Sequence, residues 1–191
     1  MIISEDYYRE GRIIAKLDYK NSIITEVLGR RSLVYDNYKY LGHLSFISFD
    51  TDGKGHFFLN FEIDSLIYFC DKDFVPIKSF GGKGTNMNTN YTESNNLRDL
   101  DRIFHEDRKK CGFYTGLEYI EERDLLFRSY TRGEHTNFDG LQIYKDQVLV
   151  ADVDVPKGFK IEGYISPYFY SSVFADSEKQ VIKIYRFTLD L

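Results

Sequence analysis

Three stretches of the sequence repeat one pattern: an apolar strand ending in Asp, a short polar turn, and a second apolar strand. The first strands are Ile13-Ile14-Ala15-Lys16-Leu17-Asp18, Leu66-Ile67-Tyr68-Phe69-Cys70-Asp71 and Leu141-Gln142-Ile143-Tyr144-Lys145-Asp146. Their partners end Val27-Leu28-Gly29, Ser79-Phe80-Gly81 and, more loosely, Val153-Asp154-Val155. Short apolar runs bounded by Asp, Asn and Gly are hairpin signals. Internal repetition constrains a fold more than any single motif, because each copy must bury its apolar face against the next.

Ahead of the second and third hairpins lie longer paired strands. Leu44–Asp50 faces His56–Phe61 across Asp-Thr-Asp-Gly, and Gly116–Ile120 faces Leu125–Tyr130 across Glu-Glu-Arg-Asp. An inner pair followed by an outer pair within about 40 residues is the pattern of a propeller blade. The composition agrees: sixteen Tyr and sixteen Phe, with no Trp, are strand formers suited to half-buried pleated surfaces. The expectation is an all-β chain of about three four-stranded propeller-type blades, with a β-sandwich as the alternative. Within a single domain, 1–191, residues 12–29 are an outer hairpin, 43–81 and 112–155 are blades, and 159–191 are terminal blade strands. Val181–Leu189 is expected as one long strand, and the first and last pieces together could complete one blade.

One segment departs from this pattern. Asn96 can cap a helix whose apolar residues Leu97, Leu100, Ile103 and Phe104 recur at helical spacing, with Lys109, Lys110 and Gly112 at its end. The reading is an inserted helix near 96–110, with His105-Glu106-Asp107 on its polar side. The preceding Gly81–Asn95 reads as an exposed loop.

The stretch from Ile67 to Gly84 resembles the outer strands of six-bladed propellers of the TolB and NHL-repeat type, where strand, Asp turn and strand lead into Phe-Gly-x-x-Gly, here Phe80-Gly81-Gly82-Lys83-Gly84. The tail from Gly140-Leu141-Gln142-Ile143-Tyr144 through Ile165-Ser166-Pro167-Tyr168-Phe169-Tyr170 is similar to the end of bacterial exported propeller proteins of unknown function. Together these cover about 150 residues. The resemblance implies half of a six-bladed ring, whose open sides call for a homodimer or for missing upstream blades.

Thirty acidic against twenty-five basic residues give a net charge of −5, which disfavours a nucleic-acid partner. No apolar run reaches the roughly 18 to 20 residues of a membrane span, and the start lacks a signal peptide. The expected location is therefore cytoplasmic for the chain as it stands, or the cell envelope or periplasm if it belongs to a longer exported protein. Cys70 and Cys111 allow at most one bridge.

Catalytic signatures do not emerge from the sequence. His43, His56, His105 and His135 show no metal-ligand spacing, and Asp50-Thr51-Asp52-Gly53 leads to Leu59 where a calcium loop needs a bidentate Glu. In Gly81-Gly82-Lys83-Gly84-Thr85 the Lys is not followed by Ser or Thr, so the run is no phosphate loop. No catalytic residue, metal or cofactor is expected. The most suggestive polar cluster is Arg128, Tyr130, Arg132 and His135, leading out of an inner strand, together with Asp152 and Asp154, and Tyr164 is a further candidate as an aromatic contact. Arg and Tyr on loops leaving a rigid sheet can grip carboxylates, sugars or peptide backbone. The functional expectation is a non-catalytic propeller-like module binding protein, peptide or glycan. The alternatives are a metal-dependent, lactonase-like hydrolase and a structural half-propeller without a small-molecule ligand.

Overall fold

The computed structural model describes residues 10–37, 43–93, 97–176 and 179–190. Among the described residues the fold is all-β, with one complete α-helix inserted between strands. A hairpin, β1 (Ile14–Asp18) and β2 (Ile23–Leu28), precedes a four-stranded antiparallel meander of β3 (Ile47–Thr51), β4 (Phe57–Phe61), β5 (Leu66–Cys70) and β6 (Pro76–Gly81). After helix α1 (Leu100–Lys110) comes a second meander of β7 (Tyr114–Ile120), β8 (Leu125–Tyr130), β9 (Phe138–Lys145) and β10 (Val148–Pro156). The last part pairs β11 (Ile161–Ile165) with β12 (Tyr168–Ser171), and β13 (Phe174–Asp176) with β14 (Val181–Lys183); β15 (Arg186–Phe187) adds to β12.

The repeated Asp residues explain the hairpins. Asp18 accepts the amide N–H groups of Lys20 and Asn21, and Asp71 accepts those of Asp73 and Val75, so the carboxylate closes the turn that its own strand enters. Asp52 does the same for Lys54 and His56 between β3 and β4. Asp146 works differently: it and Gln147 both have positive φ, 49° and 65°, the two-residue hairpin geometry that matches strand twist.

Strand parity then stacks the sheets. Phe57, Leu59 and Phe61 face one way, onto Phe74 and the hairpin residues Ile13, Ile14 and Leu28. Phe58 faces the other way with Ile67 and Phe69, onto Leu117, Leu126 and Tyr144 of the second meander. The far side of that meander, through Leu125, Phe127, Leu141 and Ile143, packs on Phe159, Ile161 and Phe169. Each such side chain contributes about 1.5–3 kcal/mol by leaving water. The first strands of the three sheets lie side by side, β3 along β7 and β7 along β11.

Several expectations change here. Val181–Leu189 is not one strand: it breaks around Tyr185, whose backbone is held by Ser171 through both the amide and the side-chain oxygen, at 3.0 and 2.9 Å. No strand pairing joins the first hairpin to the terminal strands among the described residues; they pack on opposite sides of the two meanders. The Asn96 cap lies outside the described residues, and a 3-10 turn at Leu97–Asp99 leads into the helix. Asp107 belongs to the buried side of α1 because it follows Ile103 by one turn. It accepts hydrogen bonds from the Thr92 amide and hydroxyl at 2.9 and 2.8 Å, and it faces His43 and Lys110. Burial pulls the Asp107 carboxyl up, but these donors outweigh it and hold the group below its ordinary range. The Gly81–Asn95 stretch is likewise partly packed: Gly84, Met87 and Tyr91 are buried. Both cysteines are free and buried, and desolvation pushes their thiols up to about 12 for Cys70 and about 11 for Cys111.

Candidate functional site

Of the side chains singled out in the sequence, Arg128 and Tyr130 are not on a loop. Both lie within β8, on the face that Leu126 turns toward the first meander, and both are 0% exposed. The Arg128 guanidinium donates through Nε to Gln142 Oε1 at 2.9 Å, through Nη1 to Ser65 O at 2.9 Å and Asn60 Oδ1 at 3.5 Å, and through Nη2 to Gly82 O at 2.6 Å and the Tyr144 hydroxyl at 3.0 Å. Its carbon lies 3.9 Å from the Tyr114 ring centroid. A guanidinium has five N–H donors, and this set of acceptors engages them, so the group clamps two sheets rather than awaiting a ligand. Burial raises the Tyr114 and Tyr144 hydroxyls above their ordinary range, and the Arg128 charge partly offsets that.

Tyr130 and Asp152 meet at 2.6 Å, and Asp152 also accepts from the Thr85 amide and hydroxyl and from Gln142 Nε2. Burial first, and then this carboxylate, push the Tyr130 hydroxyl up to about 12. Arg132 is buried and paired with Asp154 at 2.8 Å. The structure therefore brings Arg128, Tyr130, Arg132 and Asp152 into one neighbourhood. It leaves out His135, which is exposed beside Glu134, and Tyr164, which packs on Phe169 with ring centroids 4.7 Å apart.

An open cleft lies elsewhere, between the two meanders where the β3–β4, β7–β8 and β9–β10 turns converge. Its volume is about 320 Å³. Asp52, Asp124 and Asp146 line it with Lys54 and Lys78, over a floor that includes Phe58, Phe69 and Tyr119. His56 stacks on Phe69 at 4.9 Å and bonds Asp52 at 2.9 Å, and Lys78 approaches the same ring at 5.5 Å, so Phe69 already has partners. Tyr119 donates to Asp124 at 2.8 Å, and Lys54 reaches Glu121 at 3.7 Å between the two sheets. Burial pulls the Asp52 carboxyl up, but the His56 and Lys54 amides and the His56 ring hold it below the usual carboxylate range. Sequence reasoning met these residues only as turn formers; the signal was the clustering of Asp and Lys at hairpin ends on the same side of successive strands.

Along the adjoining first strands, burial together with the charges of Asp50 on β3 and Glu162 on β11 pushes Glu118 of β7 up to about 7. Such inward acids are what a metal-dependent hydrolase would need. Among the described residues no three His, Cys, Asp or Glu side chains converge closely enough to hold a metal ion.

Fold and site together define an all-β protein of stacked antiparallel meanders with a charged inter-sheet cleft. No protein-family model matches the chain, and no curated protein matches it. Among solved structures it is similar to a crystal structure of a member of the DUF4221 family from Bacteroides vulgatus ATCC 8482, with a TM-score of 0.60 and 11% identity over 88% of this chain. The match covers 51% of that chain, so this sequence spans about half the length of the structure it resembles. At that identity the likeness concerns the fold alone. No helix among the described residues is long and apolar enough to cross a membrane.

Proposed function

We propose that the protein is a non-catalytic interaction module, about three propeller-type blades forming half of a six-bladed ring, that holds an extended basic segment of a peptide or protein partner in the inter-sheet cleft. The observation that carries this reading is the cleft itself: turns from two sheets converge on it, and three Asp against two Lys give its lining a net negative charge. The Phe69 ring on its floor already carries His56 and Lys78, which favours a peptide over a sugar ring seeking that face to stack on. The test is fluorescence anisotropy with a labelled Lys-rich peptide and a Glu-rich peptide of equal length. The Lys-rich peptide binds, more weakly as salt rises, and the Asp124→Asn/Asp146→Asn double variant loses affinity by about tenfold. Asn tolerates the left-handed backbone at both sites, where φ is 49°, so the variant keeps its turns. Equal binding of both peptides, or of neither, sinks the reading.

Both ends of the stack support the half-ring. Leu17, Ile23, Ile24 and Val27 are exposed on the first hairpin, and Val181 and Ile182 on β14 with Val173 and Ile184 just outside the terminal strands. Apolar strands left open to water invite pairing. A second copy, or further blades of a longer chain, would cover them. Sedimentation equilibrium is expected to show a concentration-dependent dimer; a monodisperse monomer at micromolar concentration excludes the homodimer and leaves only further blades.

A further inference from the structure

A second groove, of about 380 Å³, opens where the end of α1, the β8–β9 connection and the β10–β11 turn meet. It lies at the opposite end of the second meander from the inter-sheet cleft. On one wall is Asp139, only 4% exposed. Its Oδ2 accepts the Gly158 amide N–H at 2.8 Å, while Oδ1, also buried, has no partner among the described residues. A buried carboxylate oxygen without a donor is costly, and it marks a place where a donor is missing.

The rest of the lining says what kind of molecule would supply that donor. Lys109 and Lys157 stand in the same groove, both exposed, with Lys157 Nζ resting on Gly133 O at 3.2 Å, and the exposed Glu134 lines it as well, beside His135. Arg108 adds no net charge, since it is ion-paired with Glu62. Its guanidinium lies 4.2 Å from the Phe113 ring centroid and gives the groove a flat, partly apolar surface. The backbone at Gly133 and Gly158 forms bare wall. A Cβ on Gly133 would fall 2.2 Å from Lys110 O, whereas one on Gly158 would meet nothing nearer than 3.9 Å.

We propose that this groove binds a small zwitterion of the α-amino acid type, its ammonium donating to Asp139 Oδ1, its carboxylate taken by Lys157 and Lys109, and its side chain resting against Phe113. With two carboxylates and two ammonium groups in the lining, a purely cationic ligand would leave Lys109 and Lys157 without a counter-charge, and a purely anionic one would leave Oδ1 without a donor. The free amino acid and a short peptide share this chemistry.

Amide-detected NMR titrations of the whole chain test the proposal with L-leucine, L-leucinamide, N-acetyl-L-leucine and trileucine, each to about 10 mM. L-Leucine is expected to shift the Thr131, Gly133 and Gly158 amides saturably, and blocking either charge is expected to weaken it at least tenfold. Trileucine binding more tightly than leucine assigns a peptide as the ligand; weaker binding assigns the free amino acid. Asp139→Asn and Lys157→Met are each expected to reduce affinity about tenfold or more. Lys157 is exposed, so its variant carries the test if Asp139→Asn fails to fold. The proposal is overturned if no probe binds, if a singly blocked probe binds as well as leucine, if the shifts map to the inter-sheet cleft, or if Lys157→Met binds like the wild type. The peptide reading of the cleft uses other residues, so either can fail alone.

Discussion

Arg128→Met is expected to destabilise the fold by about 3 kcal/mol or more, a large share of the roughly 5–15 kcal/mol that holds a domain of this kind together. Replacing a buried charge by an apolar side chain can be neutral where the partners leave with it, because the desolvation cost disappears too. Here the partners stay. Ser65 O and Gly82 O are backbone carbonyls, and Asn60 and Gln142 belong to strands of different sheets, so none can follow the lost guanidinium. Each buried acceptor left without a donor costs about 1–3 kcal/mol, partly recovered where Gln142 still receives the Tyr144 hydroxyl and Gly82 O that of Tyr114. Arg128→Lys is expected to recover little, since a compact ammonium offers three donors and no plane to lie on Tyr114. Urea unfolding followed by fluorescence measures both variants. A Met variant whose midpoint matches the wild type at an unchanged slope would show that the clamp adds nothing to stability.

Gly140→Ala is expected to cost about as much, close to 3 kcal/mol, for a different reason. Gly140 sits on β9 directly across from Tyr130 on β8. A Cβ there would lie 2.0 Å from the Tyr130 Cζ and 2.3 Å from its hydroxyl oxygen. The ring cannot slide away, because Gly84 closes its other side, with a would-be Cβ 2.5 Å from Cε2, and Asp152 holds its hydroxyl. The two glycines therefore make a slot one aromatic ring thick. In a Tyr130→Leu background the same Gly140→Ala substitution should cost much less, and a double-mutant cycle in thermal unfolding reads the difference. Strictly additive penalties would refute the slot.

The local architecture was legible in the chain because its causes are local. Asp at the end of a strand closes a turn two to four residues on, as at Asp18 and Asp71, and alternation assigns each side chain of β4 and β8 to a face. The spacing of Leu97, Leu100, Ile103 and Phe104, with Lys109, Lys110 and Gly112 closing the run, was enough to place α1. The all-β class, the two meanders and the helix between them all follow from such short-range rules.

What those residues do was decided by tertiary structure. Arg128 reads as a surface group because charges are seldom buried, yet it shares parity with Leu126 and Tyr130, and its acceptors come from 14 to 68 residues away. Gln142 is its cross-strand neighbour on β9, but only the stacking of one sheet on the other brings Asn60, Ser65 and Gly82 within reach of the same guanidinium. Asp107 shows the same limit on a helix: its spacing from Ile103 puts it on the apolar side, but only the packing of Thr92 and His43 against it supplies the partners that let a carboxylate be buried there. The inter-sheet cleft and the Asp139 groove each join turns from separate elements, and no spacing in a linear sequence encodes how far apart two sheets will pack.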